Sequence, residues 1–415
     1  MSKTEVVTAP GPLRLADGRP AAEAWSLDPT MTHLNHGSFG AVPLSVQELQ
    51  NQLRAEMDRA PIIWFPELPE RIAAARAEIA AFLGVATGDL ALVPNASAGV
   101  TVVHAALTRR RGGEIVVTDH GYGAVTMSAE RLARRWGGRV RTARVPLDAG
   151  EEEAAEAVLA QVGDATDLIV LDHVTSPTAR LMPVERIGAE ARRREIPMLV
   201  DGAHAPGILA TPLAGLTCDF WVGNLHKWGC APRGTAVLVA RGPLREQLHP
   251  LIDSWGAAEP FPDRFDHQGT IDATSYLAAP ASLDLIERTW GWDTARRYMS
   301  DLADYAEQVV GAAFAEITGN ASPVDVGMPV PGMRLVRLPE GLADHREAAD
   351  RLRDRAAREL GVEAAFTSFD GTAYMRLSAH VYNTAADYEH FADACVPVLA
   401  EWARTDAQPV EKVSP

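Results

Sequence analysis

Seven short apolar runs, at residues 90–93, 114–118, 139–145, 167–171, 197–200, 220–222 and 235–239, follow one another along the middle of the chain. Segments of helical pattern separate several of them, at 130–136, 151–161 and 184–194, and another precedes them at 70–83. In this last one Ile72, Ile79, Phe82 and Leu83 share a face at i, i+7, i+10 and i+11. Strands that alternate with helices need right-handed crossovers, so the pattern predicts a mainly parallel seven-stranded sheet covered on both faces. After about residue 275 the pattern changes. Long helical stretches at 279–289, 292–317 and 345–360 mix with isolated strands at 333–338 and 372–377. The reading is an α/β chain in three parts: an N-terminal arm (1–30), a large domain (31–275) and a smaller C-terminal α+β domain (276–415), with a frayed end from about residue 405.

Composition narrows the function. At 415 residues and 47% hydrophobic, the chain can bury a large core. Its 39 basic against 55 acidic residues, net −16, argue against binding nucleic-acid phosphates. Cys218, Cys230 and Cys395 lack paired spacing, which fits a reducing compartment. No apolar run approaches the roughly 18 residues of a membrane span, and the N-terminus lacks a signal-peptide stretch. A cytoplasmic, acidic protein of enzyme size is expected, with no nucleic-acid or membrane partner.

In an open parallel sheet, ligands bind at the carboxyl ends of the strands. Polar clusters follow five of the runs: NASAG (95–99), DHGY (119–122), DHVTS (172–176), DGAH (201–204) and NLHK (224–227). Together they outline a pocket. Rival chemistries lack their motifs: there is no GxGxxG after a strand, GxxxxGK[ST], HExxH, CxxC pair or GxSxG. One lysine, one post-strand aspartate, several histidines and small hydroxyl or amide residues suit a covalently held aldehyde cofactor.

The pair VDGAH (200–204) and NLHKW (224–228), with Lys227 lying 26 residues after Asp201, resembles fold-type I pyridoxal-phosphate enzymes of the class V aminotransferase superfamily. The likeness runs from LNHGSFG (34–40) to RLSAHVYNT (376–384). TDHGYGA (118–124), DHVTSPT (172–178), DGAHAPG (201–207) and QGTID (268–272) resemble its isopenicillin N epimerase-like branch most. The resemblance implies pyridoxal 5'-phosphate as cofactor and an amino acid as substrate. Lys227 would bond the cofactor aldehyde and then move protons at the substrate Cα. Asp201 would keep the pyridine nitrogen protonated. His120 would stack on the ring, with Tyr122 as the alternative, and His204 would donate to the phenolate oxygen. Ala96 and Ser97, at a helix N-terminus, would hold the phosphate with Asn224 and His226. Thr270 would reach the phosphate of a partner subunit, implying a homodimer with shared sites. Arg376 would clamp the substrate carboxylate, with Asn35, His36 and Ser38 beside it. Thr175 and Ser176 would approach the cofactor or the substrate, and Arg180, in the same loop, would either read a charged substrate or face solvent.

The resemblance leaves several reactions open. Epimerisation at Cα needs a second acid–base group, for which His120, Tyr122 and His36 are candidates. C–S bond cleavage by β-elimination from a cysteine S-conjugate needs only Lys227. Decarboxylating oxidative deamination and transamination are the alternatives, and a non-catalytic binding protein of the same fold is a distant one. Cysteine desulfurases of the superfamily carry a nucleophilic Cys shortly before the carboxylate-binding Arg; residues 362–375 here contain none. The expected setting is specialised, antibiotic-type metabolism of an amino-acid conjugate.

Overall fold

The structure is a computed structural model that describes residues 7–107, 112–319 and 323–406. Most of the end expected to fray therefore lies outside the described residues. The strands, in chain order, are β1 (Thr32–His33), β2 (Leu90–Val93), β3 (Glu114–Thr118), β4 (Arg139–Ala143), β5 (Thr166–Asp172), β6 (Met198–Asp201), β7 (Phe220–Asn224), β8 (Ala236–Ala240), β9 (Met333–Arg337), β10 (Val362–Glu363), β11 (Ala365–Phe369) and β12 (Thr372–Ser378). Each of the seven runs forms a strand of one sheet, in the order β2-β8-β7-β6-β5-β3-β4. Neighbours from β7 to β4 pair in parallel, whereas β8 runs antiparallel to both β7 and β2. The centre of the sheet is buried on both faces, which is why its strands read as unbroken apolar runs. The edge strand β4 instead carries Arg139 and Arg141, charges that discourage further pairing.

The antiparallel return of β8 positions the chemistry. A parallel neighbour would need a crossover of a dozen residues or more. Here the chain turns straight back, and residues 225–235, with Lys227 among them, stay at the carboxyl edge of β7.

Two helices exceed the sequence expectation. The helix expected at 70–83 begins at Pro61 and takes in Pro66 and Pro69, residues that break a sequence-level helix signal. The helix Leu44–Arg59 has only Val46 buried, so no apolar stripe announces it.

The C-terminal region folds β11, β12 and β9 into an antiparallel sheet. Leu302, Val310 and Phe314 of the helix Trp292–Thr318 share its core with Val336, Met375 and Leu377. The segment around residue 32 joins this region: β1 pairs in parallel with β10, and Leu34 enters the same core. The next turn, His36–Phe39, then passes beside Lys227.

Candidate active site

Asp172, Asp201 and Asn224 are the last residues of β5, β6 and β7, and they line one cavity of about 290 Å³ with Ser97, His204 and Lys227. Desolvation in this cleft lowers the Lys227 ammonium to about 7 from its ordinary 10.5, and the nearby Arg376 charge adds to the effect. Its hydrogen bonding agrees. Trp228 Nε1, which can only donate, points to His204 Nδ1 at 3.3 Å. His204 must therefore carry its proton on Nε2, which lies 3.0 Å from Lys227 Nζ. A neutral amine accepts that bond; an ammonium could not.

Two carboxyls stand side by side on the cavity floor, since Asp172 and Asp201 are in register across β5 and β6. Side chains in register on parallel strands project to the same face. Burial pushes both upward, and Asp172 further because it faces Asp201. Asp201 accepts the Ala203 N–H at 3.0 Å, and Asp172 the Tyr122 N–H at a longer 3.3 Å. Two close buried carboxyls cannot both ionise at low cost, so Asp201, with the shorter N–H bond and the smaller upward push, takes the charge and Asp172 keeps a proton. No role was assigned to Asp172 from sequence. The signal was present as two aspartates, each ending an apolar run on what became neighbouring strands.

A second cavity of about 400 Å³ shares Lys227, Tyr122, Ser176, Ser38 and Phe39 with the first. Arg376, on β12 and 2% exposed, forms part of its wall. One guanidinium nitrogen donates to the Ser176 carbonyl at 2.7 Å and its hydroxyl at 3.1 Å; the other donates to Asn35 Oδ1 and Ser38 Oγ, both at 3.1 Å. All four partners are neutral, and among the described residues no carboxylate pairs with it. Burial lowers it only to about 10, so it remains a cation whose charge is available to an acidic ligand. Asn35 and Ser38 thus gather at Arg376, and Ser176 joins them.

Other expected residues are placed differently. His120 is fully buried with Phe369 stacked at 4.2 Å, and it lines neither cavity. Its Nε2–H donates to the Val145 carbonyl at 2.8 Å, so Nδ1 accepts from the Thr178 hydroxyl at 2.7 Å. Thr178 in turn accepts from Thr175 at 2.7 Å, which accepts the Arg180 N–H at 3.1 Å. His120 and Thr175 are therefore spent on a hydrogen-bonded wall behind the pocket, and Tyr122, 44% exposed, and Phe39 are the aromatic residues shared by both cavities. Arg180 does not face solvent. It is fully buried, and its guanidinium donates to the carbonyls of Pro146, Leu147, Ala149 and Leu181. His36 lies beneath the pocket, bonded to Tyr382 and the Lys227 carbonyl and stacked 3.8 Å from His380. The Ala96 N–H expected for phosphate is taken by Asn224 Oδ1 at 2.8 Å. Ser97 and the Asn224 amide nitrogen remain as donors in the cavity. His226 gives its Nδ1–H to the Thr235 carbonyl, so it could donate to an anion only as imidazolium. Thr270 is exposed and outside both cavities of its own chain.

The residues fit pyridoxal phosphate. Asp201 is a buried carboxyl with no cation paired to it among the described residues, as a protonated ring nitrogen requires, and the neutral Lys227 amine is ready to bond an aldehyde. Fold and site together define a fold-type I enzyme that uses this cofactor. The aminotransferase class-V family model matches residues 44–391, and the chain belongs to that family. Among curated relatives, isopenicillin N epimerase of Streptomyces clavuligerus is 34% identical over 413 residues, covering 94% of this chain and all of the relative. A putative L-cysteine desulfhydrase of Oryza sativa subsp. japonica is 27% identical, covering 89% and 84%. Among solved structures, the cystine C–S lyase C-DES in complex with its product cysteine persulfide superposes with a TM-score of 0.75 at 20% identity, covering 89% of this chain and 97% of that one.

Proposed function

We propose that the enzyme removes the Cα proton of an amino-acid conjugate and either inverts that centre or releases a thiol by C–S cleavage. The observation that carries this is the neutral Lys227 amine in a cleft shared with the unpaired, buried Arg376 guanidinium. The bound cofactor supplies the electron sink that makes such a proton acidic. Arg376 fixes the α-carboxylate, Lys227 takes the Cα proton, His204 holds the amine in its accepting state, and Asp201 balances the ring nitrogen. Ser97 and Asn224 hold the phosphate, His226 adding a donor only when it is protonated, with Thr270 contributed from a partner subunit of a homodimer.

Epimerisation is favoured by the higher identity to the epimerase relatives, and it needs a proton from a second group. Tyr122 and the neutral Asp172 both line the cavity that holds Lys227 and can serve. C–S cleavage is the second reading, favoured by the desulfhydrase relatives. Persulfide-forming desulfuration finds no support, since all three cysteines are buried and outside both cavities. We place the reaction in specialised, antibiotic-type metabolism in the cytoplasm. Incubating cysteine S-conjugates and peptide-like amino acids in deuterated buffer, with mass spectrometry of all products, tests it. Deuterium at Cα with inverted configuration supports epimerisation; thiol, pyruvate and ammonia support cleavage. Carbon dioxide released without Cα exchange would contradict both.

A further inference from the structure

The turn His36–Phe39 touches both the clamp and the base. Asn35, which precedes it, and Ser38 within it hold the Arg376 guanidinium. His36, between them in sequence, is 3% exposed and lines neither cavity. Its Nε2 lies 3.1 Å from the Lys227 carbonyl, and a carbonyl can only accept, so the ring proton is on Nε2. Its Nδ1, 2.9 Å from the Tyr382 hydroxyl, must then accept that O–H. A line of two hydrogen bonds thus runs from the C-terminal region through His36 to the main chain of Lys227.

The surroundings of His36 exclude it as the second acid–base group. Both nitrogens are engaged, and its ring stacks on His380 at 3.8 Å with 21° between the planes, so a proton added to either ring would face the other. Burial, with His380 and Arg233 nearby, holds it well below its ordinary 6.5 and therefore neutral. Its effect is mechanical. Within its own loop the Lys227 carbonyl accepts the Cys230 N–H at 3.0 Å; among the described residues, the bond that reaches this carbonyl from outside the loop is the one from His36. Gly40 then closes the turn onto the same segment: at its φ of +67°, a Cβ would stand 2.0 Å from the His226 carbonyl oxygen. Because a lysine stem is flexible, the 3.0 Å contact between Nζ and His204 depends on where the main chain places the start of that stem.

We propose that His36 is a positioning residue for Lys227: by donating to the lysine carbonyl, with its own tautomer set by Tyr382, it keeps Nζ at His204 and within reach of the substrate Cα. This rests on the reading of Lys227 as the base at Cα. The turn then sets the distance between clamp and base, holding Arg376 through Ser38 and Lys227 through His36.

The first arm of the test needs neither cofactor nor substrate. In cofactor-free protein labelled at the lysine ε-carbons, the three lysines give three NMR signals, and that of Lys227 should titrate at about 7. Arg376 holds that value down and Asp201 and Asp172 pull it up, and the variants leave all three in place. His36→Phe keeps a ring in the stack but neither hydrogen bond, and should raise the midpoint by about one pH unit as Nζ leaves its buried place. His36→Gln can both donate to the carbonyl and accept from Tyr382, and should titrate as the wild type does. Tyr382→Phe loses the hydroxyl alone and should give a smaller rise, which keeps the test open if His36→Phe does not fold. The second arm follows Cα–deuterium exchange in the holoenzyme with S-methyl-L-cysteine, or with a peptide-like amino acid if only that one exchanges. In His36→Phe kcat should fall about tenfold with KM unchanged, as a slightly misplaced base would give, and His36→Gln should recover it. A Lys227 midpoint unmoved in both His36→Phe and Tyr382→Phe, with nothing altered but unfolding stability, would overturn the proposal. So would an exchange rate in His36→Gln as low as in His36→Phe, because glutamine can hold the carbonyl but cannot pass a proton. Absence of exchange in the wild type with both kinds of amino acid would instead overturn the Cα reading, and the midpoints alone would then decide the anchor.

Discussion

At the cofactor end of the site, Asp172, Asp201 and Asn224 occupy the last residues of three adjacent strands and are 5%, 2% and 7% exposed, whereas at the substrate end Phe39 is 69% and Tyr122 44% exposed. The first end is built from one sheet whose hydrogen bonding fixes every Cα. The second is assembled from separate pieces: the turn His36–Phe39, the loop holding Ser176, strand β12 and the helix Arg346–Leu360. Groups that hold a cofactor gain from a frame that cannot shift, because an ångström of misplacement costs rate. A mouth made of loops and helix ends can change substrate without disturbing that frame. Relatives of this chain named as an epimerase and as a desulfhydrase are what such a division allows.

Substitutions at the two ends should therefore fail differently. The largest effect is expected for Lys227→Ala, which removes the base and should slow Cα exchange by roughly 10²–10⁴-fold. Mass spectrometry of substrate in deuterated buffer measures it. A variant retaining most of the exchange would break the division, since the proton would have to leave from elsewhere.

Next comes Arg180→Met, which acts on the wall rather than the chemistry. It leaves the Leu147, Ala149 and Leu181 carbonyls without their guanidinium donor, while Pro146 keeps the Ala149 N–H, and at about 1 kcal/mol or more for each buried group it should cost about 3 kcal/mol or more of unfolding free energy. Urea titration would show it as a lower midpoint with little change in slope. A midpoint shift below about 0.5 kcal/mol would mean the wall holds without Arg180.

Arg376→Ala removes charge-assisted hydrogen bonds worth roughly 1.5–3 kcal/mol, so KM should rise about ten- to a hundredfold while kcat falls less. An equal loss in kcat with KM unchanged would place Arg376 at the reacting atoms instead of the carboxylate.

The smallest effect is a pH dependence confined to the cofactor end. Lys227 attacks an aldehyde only as the neutral amine, and its ammonium sits at about 7, below the ordinary 10.5. In protein stripped of cofactor, the rate of covalent capture of added pyridoxal phosphate should be flat above pH 7 and fall about tenfold per unit below it. A rate still climbing between pH 8 and 10 would show a lysine near its ordinary value.

The sheet and its carboxyl-edge clusters were legible in sequence because each buried strand is an apolar run that ends in a polar residue. Lys227, Asp201 and Arg376 followed from that edge and the family resemblance. What escaped depends on contacts between distant segments. Whether the ring of His120 faces the pocket or the wall is decided by Thr178, Val145 and Phe369. Arg180 is satisfied by carbonyls at 146–149, a loop more than thirty residues earlier, and nothing in its neighbours' identities shows this. The Ala96 N–H is taken by Asn224, at 128 residues' separation, because an amide at that position can accept as well as donate.

The central claim is that one lysine at the edge of β7 carries the cofactor, and the composition makes it unusually direct to test. The chain has three lysines, Lys3, Lys227 and Lys412. Borohydride reduction of the protein with pyridoxal phosphate, followed by peptide mapping, should place the whole of the reduced adduct on Lys227 and none on the other two. An adduct found on Lys3 or Lys412, or none at all in protein that still binds the cofactor, would contradict the account.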